Sequence, residues 1–329
     1  MNVRPPQIED IRDLEVRLQE WLQPTPVLRC KGLEQRLGAN FEIHAKLEFL
    51  QRTGTFKPRG ALATILSLDE QQLETGVTAV SAGNHAIATA FAAQAIGTSA
   101  KVVMIKSANP VRIEACREFG AEVILADDVH SAFDLVENIR EKEGRFFVHP
   151  FDGPHVALGT GTVGLEICEQ VGEFDAVIVP IGGGGLCAGI ANAVKQIMSS
   201  STVIGVEPEG ANSMQRSFAS GRPESIDRVT TIADSLGAPF AAPYSFELCR
   251  QNVDELVLIS DDEIKAAMGM LFRDQKIAVE PACAASTAAL CGPLQARFDA
   301  QKVVLVLCGS NIDWDTYASH ACLAQGDKC

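Results

Sequence analysis

The sequence predicts an α/β protein made of two doubly wound open-sheet domains, and three observations lead there. Short runs rich in valine and isoleucine alternate with stretches of helical periodicity, the pattern of parallel strands joined by crossover helices. Nine such runs suggest two sheets and not one. A length of 329 residues, 47% of them hydrophobic, corresponds to about two domains with ample core.

In chain order, the first element is a helix over 7–22, where Ile8, Ile11, Leu14, Leu18 and Trp21 recur at three- and four-residue steps before Pro24 ends the pattern. The strand-like runs follow as FEIHAKLE, TAVSA, KVVMI, EVILA, RFFVHP, DAVIVPI, TVIGVE, ELVLIS and KVVLVLCG. PVRIEACREFG, VHSAFDLVENIREKEG and LCAGIANAVKQI carry helical patterns between them. No repeat, low-complexity tract or long linker marks a boundary.

Several classes are disfavoured at once. With 42 acidic and 28 basic side chains the net charge is −14, which repels nucleic acid and anionic membranes. Two stretches free of charged side chains, 77–100 and 176–194, are long enough to suggest a membrane span. The first contains SAGNH and the second Pro180 with four consecutive glycines, so lipid would leave their backbone unsatisfied. The first residues, MNVRPPQIED, lack the features of a secretory leader, and a cytoplasmic protein is expected. Ten scattered cysteines form no C-x-x-C pair and no cluster at zinc spacing, so reduced core thiols and no metal centre are expected.

In doubly wound folds ligands gather where loops leave the carboxyl ends of strands. After DAVIVPI come Gly182, Gly183, Gly184 and Gly185, then a helix. Four glycines at a helix start let several N–H groups converge on one anion, as in a phosphate cup. The run is neither G-x-x-x-x-G-K-[ST] nor a clean G-x-G-x-x-G, so a nucleotide is not the favoured carrier of that phosphate. After TAV comes SAGNHA, where Ser81, Asn84 and His85 supply donors at a helix start suited to a carboxylate, although helix capping alone would also explain Ser81 or Asn84. The last strand delivers Cys308, a small polar atom at a strand end, though a buried inert thiol is the commoner outcome. Finally, RTGTFKPRGA holds Lys57 between Phe56 and Pro58 in a glycine-flanked loop, which is unneeded for a solvated lysine but apt for one that must meet a carbonyl. Each loop is ambiguous alone. Together they call for a compound with a phosphate, a flat ring and a carbonyl that a lysine attacks: pyridoxal 5'-phosphate. Phe56 would fill space beside the ring, with Pro58 and Gly60 fixing the turn that aims Lys57.

The motifs TFKPRGA, SAGNHA, GGGGL and LCGSNID, in this order and near this spacing, resemble those of the fold-type II pyridoxal-phosphate enzymes, whose fold is that of the tryptophan synthase β-subunit. The likeness is greatest to the serine/threonine dehydratase and serine racemase branch, and it extends to TIAD at 231–234 and VEP at 206–208 and 279–281. The resemblance implies that Lys57 bonds the cofactor's aldehyde carbon, that Asn84 bonds its phenolic oxygen, and that residues Gly182 to Gly185 with Leu186 wrap its phosphate. It further implies that Cys308 faces the pyridine nitrogen and that Ser81, Ala82, Gly83, Asn84 and His85 line the substrate carboxylate site. Lys57 and Ser81 are the candidate catalytic side chains. Residues 75–149 would form a small domain inserted into a large one built from 1–74 and 150–329, and the family's habit suggests a homodimer.

A neutral thiol cannot protonate the pyridine ring as an aspartate would, so charge arising at Cα is better discharged by expelling a β-substituent. The expected reaction is α,β-elimination from a small β-hydroxy amino acid, L-threonine or L-serine, yielding a 2-oxo acid and ammonia. Larger substrates such as hydroxyaspartate or phenylserine are the alternative, followed by a β-replacement synthase of the cysteine synthase type, which resembles a different asparagine loop. A cofactor-retaining binding protein is disfavoured by intact Lys57, Ser81 and Asn84. Ala82 stands where racemases of the branch resemble a second serine, so weak racemisation is expected. Ser213 stands near the acidic position that partners Glu207 in the family's divalent-cation site, which puts a cation there in doubt. TIAD continues as SLGAP without the commoner glycine, a change expected to reshape the substrate side chain's pocket.

Overall fold

The computed structural model describes residues 4–38, 40–298 and 301–323. The first third of the chain contains helix α1 (Ile8–Leu18), strand β1 (Val27–Arg29), α2 (Lys31–Leu37), β2 (Glu42–Leu47), α3 (Lys57–Ile65) and α4 (Glu70–Thr75). Next come β3 (Val77–Val80), α5 (Asn84–Ile96), β4 (Ala100–Ile105), α6 (Pro110–Glu118), β5 (Glu122–Ala126), α7 (Val129–Glu143) and β6 (Phe146–Phe147). They are followed by α8 (Pro154–Val171), β7 (Ala176–Pro180), α9 (Gly185–Ile197), β8 (Thr202–Pro208), α10 (Ser213–Ser220), α11 (Pro243–Asn252) and β9 (Glu255–Ile259). The chain continues through α12 (Asp261–Met270), α13 (Pro281–Cys291), β10 (Lys302–Leu307) and α14 (Trp314–Leu323).

The strands form two sheets, one of four strands in the order β5-β4-β3-β6 and one of six in the order β1-β2-β10-β7-β8-β9. Every neighbouring pair is parallel except β1 with β2. Central strands covered on both faces must be apolar throughout, and β7 is buried along its whole length while β10 is buried after Lys302. Strand β10 runs parallel between β2 and β7, with Val306 opposite Lys46 and Leu305 opposite Ile178. It thereby brings the first and last thirds of the chain to the sheet centre.

The predicted strand runs all contain strands, but three local expectations change. Helix α1 ends at Leu18, short of 22, because Trp21 and Leu22 turn back to donate to the Leu18 carbonyl. Strand β1 was not anticipated; it is three residues long and partly exposed. Lys57 lies on the first turn of α3 and not in a loop, with Pro58 where a proline suits a helix start. Gly60 sits inside α3, where an added Cβ would make ordinary contact with Val156 at 3.5 Å, so it fixes no turn.

What aims this helix is a buried quartet of charges. Arg59 donates to Glu48 at 2.8 and 2.9 Å and to Glu166 at 2.6 and 3.0 Å, and Lys46 donates to Glu166 at 2.5 Å and to the Thr25 carbonyl at 2.7 Å. All four side chains are buried. Burial disfavours the charged guanidinium, yet Glu48 and Glu166 more than offset it and raise its pKa. The quartet joins β2, α3 and α8, and so sets where Lys57 emerges.

Candidate active site

Four chain segments end at one cleft, a cavity of about 250 Å³ between the two sheets' helices. Phe56, Lys57, residues 81–85 and 182–186, and Cys308 all line it. Each arrives for a local reason. The Phe56 N–H donates to the Cys308 carbonyl at 3.2 Å and Thr55 bridges to Gly309, so the start of α3 is stitched to the end of β10. Ser81, leaving β3, accepts the Gly83 N–H at 3.1 Å, which tightens the turn into α5. After β7, Gly184 takes φ +93° where α9 begins; a Cβ there would also lie 2.5 Å from the Met214 methyl. At Gly183 it would enter the Phe151 ring, so that close approach needs glycine. The first turn of α9 leaves N–H groups without intrahelical acceptors, and with the helix dipole these make its start, which lines the cleft, suited to an anion.

Lys57 is buried. Its Nζ donates to the Pro150 carbonyl at 2.7 Å, lies 5.0 Å from the Phe56 ring centre, and has no carboxylate at ion-pair distance among the described residues. Desolvation lowers its pKa from 10.5 to about 8, against smaller opposing effects of Cys308 and Glu280. An amine so poised is a nucleophile and a base near neutral pH. The Cys308 thiol is hydrogen-bonded with Cys283 and buried, both of which push its pKa well up and keep it neutral.

Asn84 is more constrained than its sequence suggests. Its Nδ2 donates to the Glu280 carboxylate at 2.9 and 3.1 Å and to Ser235 Oγ at 3.2 Å, while its Oδ1 accepts from Asn311 Nδ2 at 2.9 Å. The His85 ring donates from Nε2 to the Val148 carbonyl at 2.8 Å, and burial lowers its pKa to about 3, so it brings no charge to the cleft. Both oxygens of Glu207 accept backbone N–H groups at the start of α10, from Met214 at 2.8 Å and Gln215 at 2.7 Å. Among the described residues no cluster of three or more metal-ligating side chains occurs.

Sequence reasoning assigned no site role to several residues that line the cleft: Arg112, Phe151, Asp234, Ser235 and Glu280. Arg112 reaches over from α6 and donates to Asp234 at 2.7 Å and to the Asn311 carbonyl at 2.8 and 3.2 Å. The only signals were the TIAD and VEP tripeptide-scale matches, which say nothing of what those carboxylates touch.

A buried amine, a glycine-lined helix start, an apolar wall from Phe56 and Leu186 and a neutral thiol at a strand end form a donor set that fits pyridoxal phosphate. The chain belongs to the pyridoxal-phosphate dependent enzyme family, whose model matches residues 18–309. A phenylserine dehydratase of Ralstonia pickettii is 52% identical over 315 residues, covering 96% of each chain. A catabolic L-threonine dehydratase of Escherichia coli is 40% identical and covers 94% of each. Among solved structures, maize serine racemase superposes with a TM-score of 0.90 at 33% identity, covering 96% of this chain and 97% of its own. Within the family this chain is a carbon–oxygen lyase of the ammonia-lyase type.

Proposed function

We propose that the chain is a dehydratase that eliminates water from a β-hydroxy amino acid with a bulky, uncharged, aromatic β-substituent, giving a 2-oxo acid and ammonia. Serine and threonine, ranked first from sequence, become secondary substrates. The observation that carries this is the lining of the cleft. Its cationic side chains, Lys57 and Arg112, are already bonded, Arg112 to a carboxylate, so a second substrate carboxylate would find no waiting partner. Phe151, Leu236, Ala238 and Pro239 offer an apolar wall instead, and Ala82 adds no hydroxyl to it. The 52% identity to a phenylserine dehydratase supports the same choice.

Bound pyridoxal phosphate supplies the electron sink that makes the substrate Cα–H acidic. The N–H groups from Gly182 through Leu186 would hold its phosphate, Asn84 would donate to its phenolic oxygen, and Cys308, a neutral thiol, would stand at its ring nitrogen. Ser81 and the N–H groups at the start of α5 hold the substrate carboxylate. Lys57 Nζ, unprotonated above about pH 8, takes the Cα proton. On the same reading 75–149 is the smaller domain inserted between 1–74 and 150–329, and the protein is a homodimer, which would sediment at twice the 35.2 kDa chain mass.

The test is oxo-acid release across L-threo-phenylserine, L-threonine, L-serine and L-threo-hydroxyaspartate. Burying a phenyl group is worth about 2–3 kcal/mol, so kcat/KM for phenylserine should exceed that for serine by about 30–160-fold. A higher kcat/KM for hydroxyaspartate or serine would reject the aromatic assignment. No oxo acid from any of them would reject the dehydratase reading.

A further inference from the structure

Glu280 sits at the start of α13, is buried, and borders the cleft beside Asn84, yet the elimination chemistry leaves it without a task. Its carboxylate accepts from Asn84 Nδ2 at 2.9 and 3.1 Å and from the Asn311 N–H at 3.2 Å. The end of β10 is shaped to admit it: a Cβ on Gly309 would come within 2.8 Å of Glu280 Oε1.

An asparagine amide has two nearly isosteric orientations, and only its partners choose between them. At Asn84 both ends are specified. Glu280, when ionised, can only accept, so it selects nitrogen. Asn311 Nδ2 can only donate; its own orientation is set by a second bond at 2.7 Å to the Thr53 carbonyl, so it selects oxygen. A half-turn of the Asn84 amide would set oxygen against carboxylate and N–H against N–H, disfavouring that orientation by roughly a hundredfold or more. One Asn84 N–H is thus committed to Glu280. The other makes only the long bond to Ser235 Oγ, 3.2 Å, and is the donor available to a ligand.

We infer that Glu280 is a positioning residue: with Asn311 it locks the Asn84 amide so that the cleft is offered an N–H donor and never the carbonyl oxygen. The inference rests on the reading above, in which that donor meets the phenolic oxygen of pyridoxal phosphate. Around Glu280 stand Arg112 of α6, with a guanidinium nitrogen at 3.9 Å, Asp234 of the 231–234 segment, Lys57 of α3 and the Cys308 thiol. Burial is the main influence raising the Glu280 pKa, to about 7, while Arg112 and Asn84 pull it down. The lock should therefore loosen as pH falls through that value, because a protonated carboxyl can present a donor to Asn84.

The experiment titrates the purified protein with pyridoxal phosphate and records the visible spectrum of the bound cofactor from pH 6 to 9, for wild type, Glu280→Gln, Glu280→Asp and Asn311→Asp. Glu280→Gln, whose amide satisfies either Asn84 orientation, should weaken cofactor binding about tenfold and shift the absorption maximum and its pH midpoint. Glu280→Asp, which keeps an acceptor-only group, should recover part of both. Asn311→Asp breaks the lock from its other end and should give the same spectral shift. Wild-type affinity and spectrum in Glu280→Gln would overturn the inference, as would equal defects in Gln and Asp variants that track a fall in melting temperature alone. Should Glu280→Gln fail to fold, a wild-type spectrum in Asn311→Asp overturns it as well. If wild type itself takes up no cofactor, the dehydratase reading fails first and this inference with it.

Discussion

Replacing Lys57 with methionine should stabilise the cofactor-free protein at neutral pH while abolishing oxo-acid release. Lys57 holds a buried amine with a backbone carbonyl as its hydrogen-bond partner and no ion pair among the described residues. Its pKa falls from 10.5 to about 8 on folding, which corresponds to about 3 kcal/mol of destabilisation when the group is charged in both states. Losing the bond to Pro150 takes back about 1 kcal/mol, and methionine fills nearly the same volume, so a net gain of about 2 kcal/mol is expected. The pH dependence has a definite sign. Because the folded value lies below the unfolded one, the folded protein binds fewer protons between about pH 8 and 10.5, and wild-type stability rises with pH across that window. The advantage of Lys57→Met is therefore full below pH 8 and gone above pH 10.5. Urea denaturation of both cofactor-free proteins at pH 7 and pH 10.5 measures it. A variant less stable than wild type at pH 7, or a gap that ignores pH, would show that this lysine is not held at a cost to the fold.

Two further outcomes follow from the surroundings. Arg59→Leu leaves Glu48 and Glu166 buried beside Lys46 alone, and should cost about 3–5 kcal/mol in the same denaturation assay; a loss under 1 kcal/mol would mean water already reaches the quartet. Gly184→Ala forces a Cβ onto a residue at φ +93° and against Met214, and should cost about 1–2 kcal/mol of stability and weaken pyridoxal-phosphate uptake about tenfold, read by fluorescence titration.

Legibility of the fold tracks how locally each feature is encoded. Strands β7 and β10 are covered on both faces, so they appear in the sequence as unbroken apolar runs, and the glycine bend and Cys308 are found simply by reading onward from them. Strand β1 pairs antiparallel at an edge with three partly exposed residues near Pro24 and Pro26, too few for any period to show. Lys57 was expected in a loop because Gly54 precedes it; the left-handed turn at Thr53, φ 68°, and Gly54 in fact ends just before α3 starts. The partners of Asn84 were out of reach for a different reason. Glu280 lies 196 residues away at the start of a helix packed on the six-stranded sheet, whereas α5 packs on the four-stranded one, so only tertiary packing joins them. A polar network of this kind has no period and no spacing, so sequence shows its members without their bonds.

The strand at the middle of the larger sheet is the last one made. While a ribosome is still producing the chain, β2 and β7 have no β10 between them, and at about 5–20 residues per second β2 waits on the order of ten to fifty seconds for its neighbour. A nascent polypeptide released before residue 302 would carry the lysine and the glycine bend but lack the strand that joins β2 to β7. Synthesis of β10 is therefore the step that closes the gap between β2 and β7 and completes the larger sheet.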